Sequence, residues 1–91
     1  MDINQIPKSF SKAITLIVLP EYPNIEKFEV SFSEFIKINL EVTYFVRKPK
    51  IPYDKRFSEL EKLYKKIEES TKSLFKIMGF PEEYSVTVWF V

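Results

Sequence analysis

The strongest constraint on this chain is one long amphipathic segment, Lys55 to Met78, closed by Gly79. Its apolar residues Phe57, Leu60, Tyr64, Ile67, Thr71, Leu74 and Met78 recur at a spacing of three and four, and Leu63 and Phe75 widen the stripe. A stripe of that width faces a core rather than a narrow coiled-coil seam. Asp54 is a good N-cap. Gly79 suits the left-handed residue after a helix, and Pro81 follows it. On the far face Glu61–Lys65 and Glu68–Lys72 stand glutamate-first at i,i+4, the better orientation, contributing about 0.2–0.5 kcal/mol per pair. About 24 residues make a helix roughly 36 Å long. Such a helix could pair with a symmetry mate, but about three heptads on a wide stripe more often pack as a core against a sheet.

The flanking segments alternate with period two. Over Lys27–Ser33, Phe28, Val30 and Phe32 share one face, against Glu29, Ser31 and Ser33. Over Phe35–Val46, Ile36, Ile38, Leu40, Val42, Tyr44 and Val46 share one face, and Lys37, Asn39, Glu41, Thr43 and Phe45 the other. Such alternation predicts half-buried antiparallel strands. Their junction, Ser33-Glu34-Phe35, lacks glycine, so its turn is not a glycine-dependent type, and a bulge near Phe35 would reset the register. Tyr84–Val91 alternates too, with Tyr84, Val86, Val88 and Phe90 opposite Ser85, Thr87, Trp89 and Val91. A strand, a crossover helix and a strand in one sheet predict a parallel, right-handed β-α-β unit. A strand of about ten residues spans roughly 33 Å, which matches the helix.

The first element is ambiguous. Ala13–Leu19 is a continuous apolar run, and four of its seven residues are β-branched. That composition and length favour a strand. A short buried helix through Phe10, Ala13, Ile14, Ile17 and Val18 fits as well, and periodicity alone does not separate the two. Pro20 and Pro23 then enforce a loop, and Met1–Lys12 reads as a tail or short first turn. The expected fold is a small α+β two-layer sandwich. It has about four mostly antiparallel strands and one long helix, in the order β-β-β-α-β, with the first element strand or helix. If Ser9–Leu19 is helical, the order resembles a ferredoxin-like fold lacking its first strand, a likeness that carries no function.

Composition narrows the chemistry. Ninety-one residues make one domain. The chain has no histidine, no cysteine and one glycine. That removes imidazole- and thiolate-based catalysis and any glycine-rich phosphate loop. A metal would have only oxygen ligands, and no calcium-loop spacing occurs; no cofactor is expected. Carboxylates such as Glu59, Glu61, Glu82 and Glu83 read as solvated rather than catalytic, so the chain is read as a non-enzyme. Without cysteine nothing marks an oxidising compartment. The run Ala13–Leu19 is too short for a signal peptide or a membrane span, which points to a cytoplasmic protein. Ten isoleucines and a lysine–glutamate charge set with only Arg47 and Arg56 as arginines fit a heat-adapted proteome or an AT-rich genome.

Three features remain for function. The net charge is +1, so a global pull on nucleic acid is absent. Locally, however, Arg47, Lys48, Lys50, Lys55 and Arg56 face only Asp54, with Tyr53 interleaved. Such a segment can grip a nucleic-acid backbone, or simply be a proline-fixed connector. Second, Phe45, Trp89 and Val91 are apolar residues on otherwise polar strand faces, and parallel pairing would bring them to one end. Exposed aromatics with a polar rim mark interfaces, unless the N-terminal segment with Ile3, Ile6 and Phe10 covers them. Third, a strand at Ala13–Leu19 would need cover on both faces, which a second subunit would supply. The expectation is a binding or assembly module that self-associates as a homodimer through Phe45, Trp89 and Val91. The alternative is a weak, sequence-independent nucleic-acid binder using Arg47, Lys48, Lys50, Tyr53, Lys55 and Arg56.

Overall fold

A computed structural model describes residues 5–34, 37–48 and 53–91, without the side chains of Tyr53, Asp54 and Arg56. The elements are α1 (Ile6–Ala13), β1 (Ile25–Glu34), β2 (Ile38–Val46), α2 (Tyr53–Ile77) and β3 (Ser85–Phe90). The sheet has three strands in the order β1-β2-β3. β1 and β2 pair antiparallel, with Val30 opposite Val42. β2 and β3 pair parallel, with Val42 opposite Val88, as a crossover through α2 requires. The sheet is therefore mixed, with three strands and the order α-β-β-α-β, rather than four mostly antiparallel strands.

The missing strand is the apolar run at Ala13–Leu19. α1 continues without a break into a π-helical turn, Ile14–Val18, and a 3₁₀ turn, Leu19–Glu21. Ile6, Phe10, Ile14 and Val18 are all buried. They stand four apart, and on an α-helix that spacing drifts by about 40° per step. The π turn, in which the Leu19 N–H reaches back to the Ile14 carbonyl, counters this drift and keeps Val18 on the core side. β-branched content favoured a strand, but burial of this four-residue series decides for a helix. The helix has one core face only. Leu16 and Ile17 are exposed, so the requirement for a second subunit to cover this run disappears.

The even-numbered residues of β2 form the floor of the core. Leu40, Val42 and Tyr44 are fully buried, and Ile67, Thr71 and Leu74 of α2 pack with them from above. Both helices thus lie on one face of the sheet. Aromatic rings fill the space in two groups. One runs Phe28–Tyr44–Phe90–Tyr64, and its last pair stacks at 4.3 Å. The other joins Phe10, Phe75 and Phe80 near the opposite end.

α2 runs from Tyr53, so Asp54 lies in its first described turn, and the side chain expected to cap it lies outside the described residues. Its 25 residues span about 37 Å, while the six residues of β3 span about 20 Å. The expected match in length holds for β1, whose ten residues span about 33 Å, and fails for β3. Phe57, assigned to the core stripe from its spacing, is 69% exposed. Of the two expected ion pairs, Glu68–Lys72 closes at 2.8 Å. Gly79 ends the helical region with φ +71°. The position expected for a bulge, Phe35, lies outside the described residues; the register irregularity falls at the other end of β1, between Ile25 and Lys27.

Candidate interaction face

From Lys27 onward the odd-numbered residues of the strands point away from the helices, while Ile25, before the register irregularity, is buried in the core. Among the described residues this face is uncovered. Ile6 and Phe10, expected as its cover, are buried in the core on the opposite side, and Ile3 lies outside the described residues.

At one end the face is polar and internally bonded. Asn39 Oδ1 accepts from Ser85 Oγ at 2.8 Å and from Thr87 Oγ1 at 3.2 Å. At the other end it turns apolar. Trp89 stands beside Thr43. The Val91 N–H donates to the Tyr44 carbonyl at 2.9 Å, and the Val46 N–H donates to the Val91 carbonyl at 3.2 Å. That pair of bonds seats Val91 directly beside Phe45. The structure therefore gathers Phe45, Trp89 and Val91 at one end of one face, with Trp89 54% and Val91 60% exposed. Parallel pairing plus the parity of the positions carries this juxtaposition, and both are readable in the sequence.

Charged groups border the patch. Lys27, opposite Phe45 in the register, holds its ammonium 4.4 Å from the centre of the Phe45 ring, a cation–π geometry. The Trp89 indole N–H donates to Glu41 Oε1 at 3.4 Å. Sequence reading missed both Lys27 and Glu41, although each lies on the same parity as the aromatic it touches. Arg47 follows β2; its backbone N–H donates to the Asn24 carbonyl at 2.7 Å, and its guanidinium pairs with Glu26 at 3.3 Å. Both partners are largely exposed, so the pair contributes little to stability.

The basic segment is only partly visible. Arg47, Lys48 and Lys55 are exposed. Lys50 lies outside the described residues, as do the side chains of Tyr53 and Arg56.

Elsewhere the surface offers little convergent chemistry. Among the described residues no cluster of three acidic, histidine or cysteine side chains could hold a metal. No described helix is long and apolar enough to cross a membrane. A recess of about 300 Å³ between Ile6, Met78, Phe80 and Tyr84 is mainly apolar. The Tyr44 hydroxyl is pushed up to about 12, chiefly by burial, with a partial offset from Thr71. It is sealed in the core and open to no cleft.

No protein-family model, curated protein or solved structure matches the chain.

Proposed function

We propose that this chain is a non-enzymatic assembly module that self-associates as a symmetric homodimer through the apolar end of its open sheet face. The supporting observation is the juxtaposition of Phe45, Trp89 and Val91 on a face that no described element covers. Tryptophan with an apolar neighbour and a charged rim is the composition of an interface centre. A second copy is the simplest occupant, because two-fold dimers are the commonest closed assemblies. The absence of histidine and cysteine, and the sealing of Tyr44 in the core, favour holding another molecule over transforming one. Light scattering on a sizing column tests the reading. Mutation of Trp89 to alanine should shift the equilibrium toward a single chain of 10.9 kDa.

A second reading, sequence-independent contact with nucleic acid, draws on Arg47 and Lys48 being exposed at the same end as Phe45 and Val91. Against it, Glu26 pairs with Arg47 and the Trp89 indole N–H donates to the Glu41 carboxylate. Binding of this kind would weaken steeply with salt. Absence of DNA and RNA binding at low salt rules it out.

A further inference from the structure

β3 is an edge strand whose outer side is open among the described residues. The hydrogen bonds of Val91 with Tyr44 and Val46 fix the direction of every peptide group along it. The odd residues of β3 turn both N–H and C=O toward β2. Val86, Val88 and Phe90 therefore aim theirs at the free edge.

The two edges of the sheet are built differently. β1 carries Glu26, Lys27, Glu29 and Glu34, plus the irregularity at Ile25/Lys27. Charges and bulges are the means by which proteins keep an edge from pairing. The stretch Ser85–Val91, Ser-Val-Thr-Val-Trp-Phe-Val, has no charge, no proline and no glycine. It is rich in β-branched and aromatic residues, the composition that adds strands readily.

We infer that β3 pairs antiparallel with β3 of a second copy about a two-fold axis through Val88, joining two sheets into one of six strands. This rests on the self-association proposed above and puts its contact at the β3 edge that borders the apolar end of the face. The register sets Val88 opposite Val88, Val86 opposite Phe90 and Thr87 opposite Trp89 of the second copy. It satisfies the outward groups of both strands with about six hydrogen bonds. Aromatic and β-branched residues meet across the junction on both faces, which are favourable cross-strand pairs. No charge faces a charge. The strand is thus complementary to itself, as an isologous contact demands. On the open face Trp89 gains Thr87, and Val91 gains Ser85, of the second copy as lateral neighbours, whereas Phe45 lies one strand further in.

The chain has no cysteine, so a single introduced one reports the contact. Two Val88→Cys residues would stand about 5.5 Å apart between Cα atoms, within disulfide reach. Two Ser85→Cys residues would stand roughly 20 Å apart across the axis. Under mild oxidation of the full chain, Val88→Cys should cross-link at least about tenfold faster than Ser85→Cys. Thr87→Lys, which gives β3 the kind of charge that guards β1, should weaken the dimer about tenfold or more while keeping the circular dichroism of the folded chain. A wild-type dimer with equal cross-linking of the two cysteine variants, or with Thr87→Lys still dimeric, overturns the β3 pairing and leaves self-association standing. A wild-type monomer at high micromolar concentration overturns both.

Discussion

The Tyr44 hydroxyl lies 2.6 Å from Thr71 Oγ1, and the Thr71 hydroxyl donates to the Ile67 carbonyl at 2.8 Å. Thr71 has one hydroxyl proton, which the Ile67 carbonyl takes, so Tyr44 is the donor in the short contact. This chain of two bonds ties the central strand to α2 through the fully buried Thr71. It also explains a threonine in a core stripe. Replacing Thr71 with valine keeps the shape but strands the Tyr44 donor, at a cost of about 1–3 kcal/mol. Tyr44→Phe leaves Thr71 bonded to Ile67 and should cost about 0.5–1.5 kcal/mol. Urea unfolding of the two variants checks the order; a larger loss for Tyr44→Phe would contradict this reading of the donors.

The same residue sets a pH dependence. An unfolded tyrosine titrates near 10, whereas burial pushes Tyr44 up to about 12. Thr71 offsets the shift in part, because its hydroxyl can turn to donate to a phenolate. The folded pKa is raised, so this contribution to stability is fully present below pH 10. It falls as pH rises from 10 through 12, by about 2–3 kcal/mol in all. The informative quantity is the difference between wild type and Tyr44→Phe, which cancels what the two chains share. The variant should lose less stability between pH 9 and 12.

Gly79 ends the helical region at φ +71°, and a Cβ there would meet nothing within 4 Å. The cost of a side chain is therefore conformational and not steric. Gly79→Ala should destabilise by about 1–2 kcal/mol, and Gly79→Asn by less, because asparagine tolerates the left-handed region better. Thermal melts of both variants give the comparison; equal losses would show that crowding matters instead.

How much of this was legible depends on how local the signal is. α2 and its stop at Gly79 follow from period, spacing and one special residue, all close in sequence. The parallel pairing of β2 and β3 follows from a crossover too long for a hairpin. The gathering of Phe45, Trp89 and Val91 follows from that pairing and strand parity. Ala13–Leu19 was harder to read because its β-branched residues favour a strand, while the deciding feature is a series of four buried residues from Ile6 to Val18 spanning two helical types. Phe57 fits the stripe of α2 by spacing, yet is exposed, because spacing alone does not say how far the core extends along a helix. The pairing of Lys27 with Phe45 needed the β1–β2 register, which the glycine-free turn left open.

Trp89 is the single tryptophan of the chain, and it is half exposed. Self-association that covers it should shift its fluorescence to shorter wavelength as concentration rises. Acrylamide quenching should fall over the same range. Emission that stays constant from nanomolar to high micromolar concentration, in a sample shown to dimerise, would place the contact away from Trp89.

Joining of two copies through the open edge and apolar end of this sheet is read out by sedimentation equilibrium of the full chain through the micromolar range. The mass should rise to twice the 10.9 kDa of one chain and no further. A mass that stays at 10.9 kDa at the highest concentration would overturn the dimer.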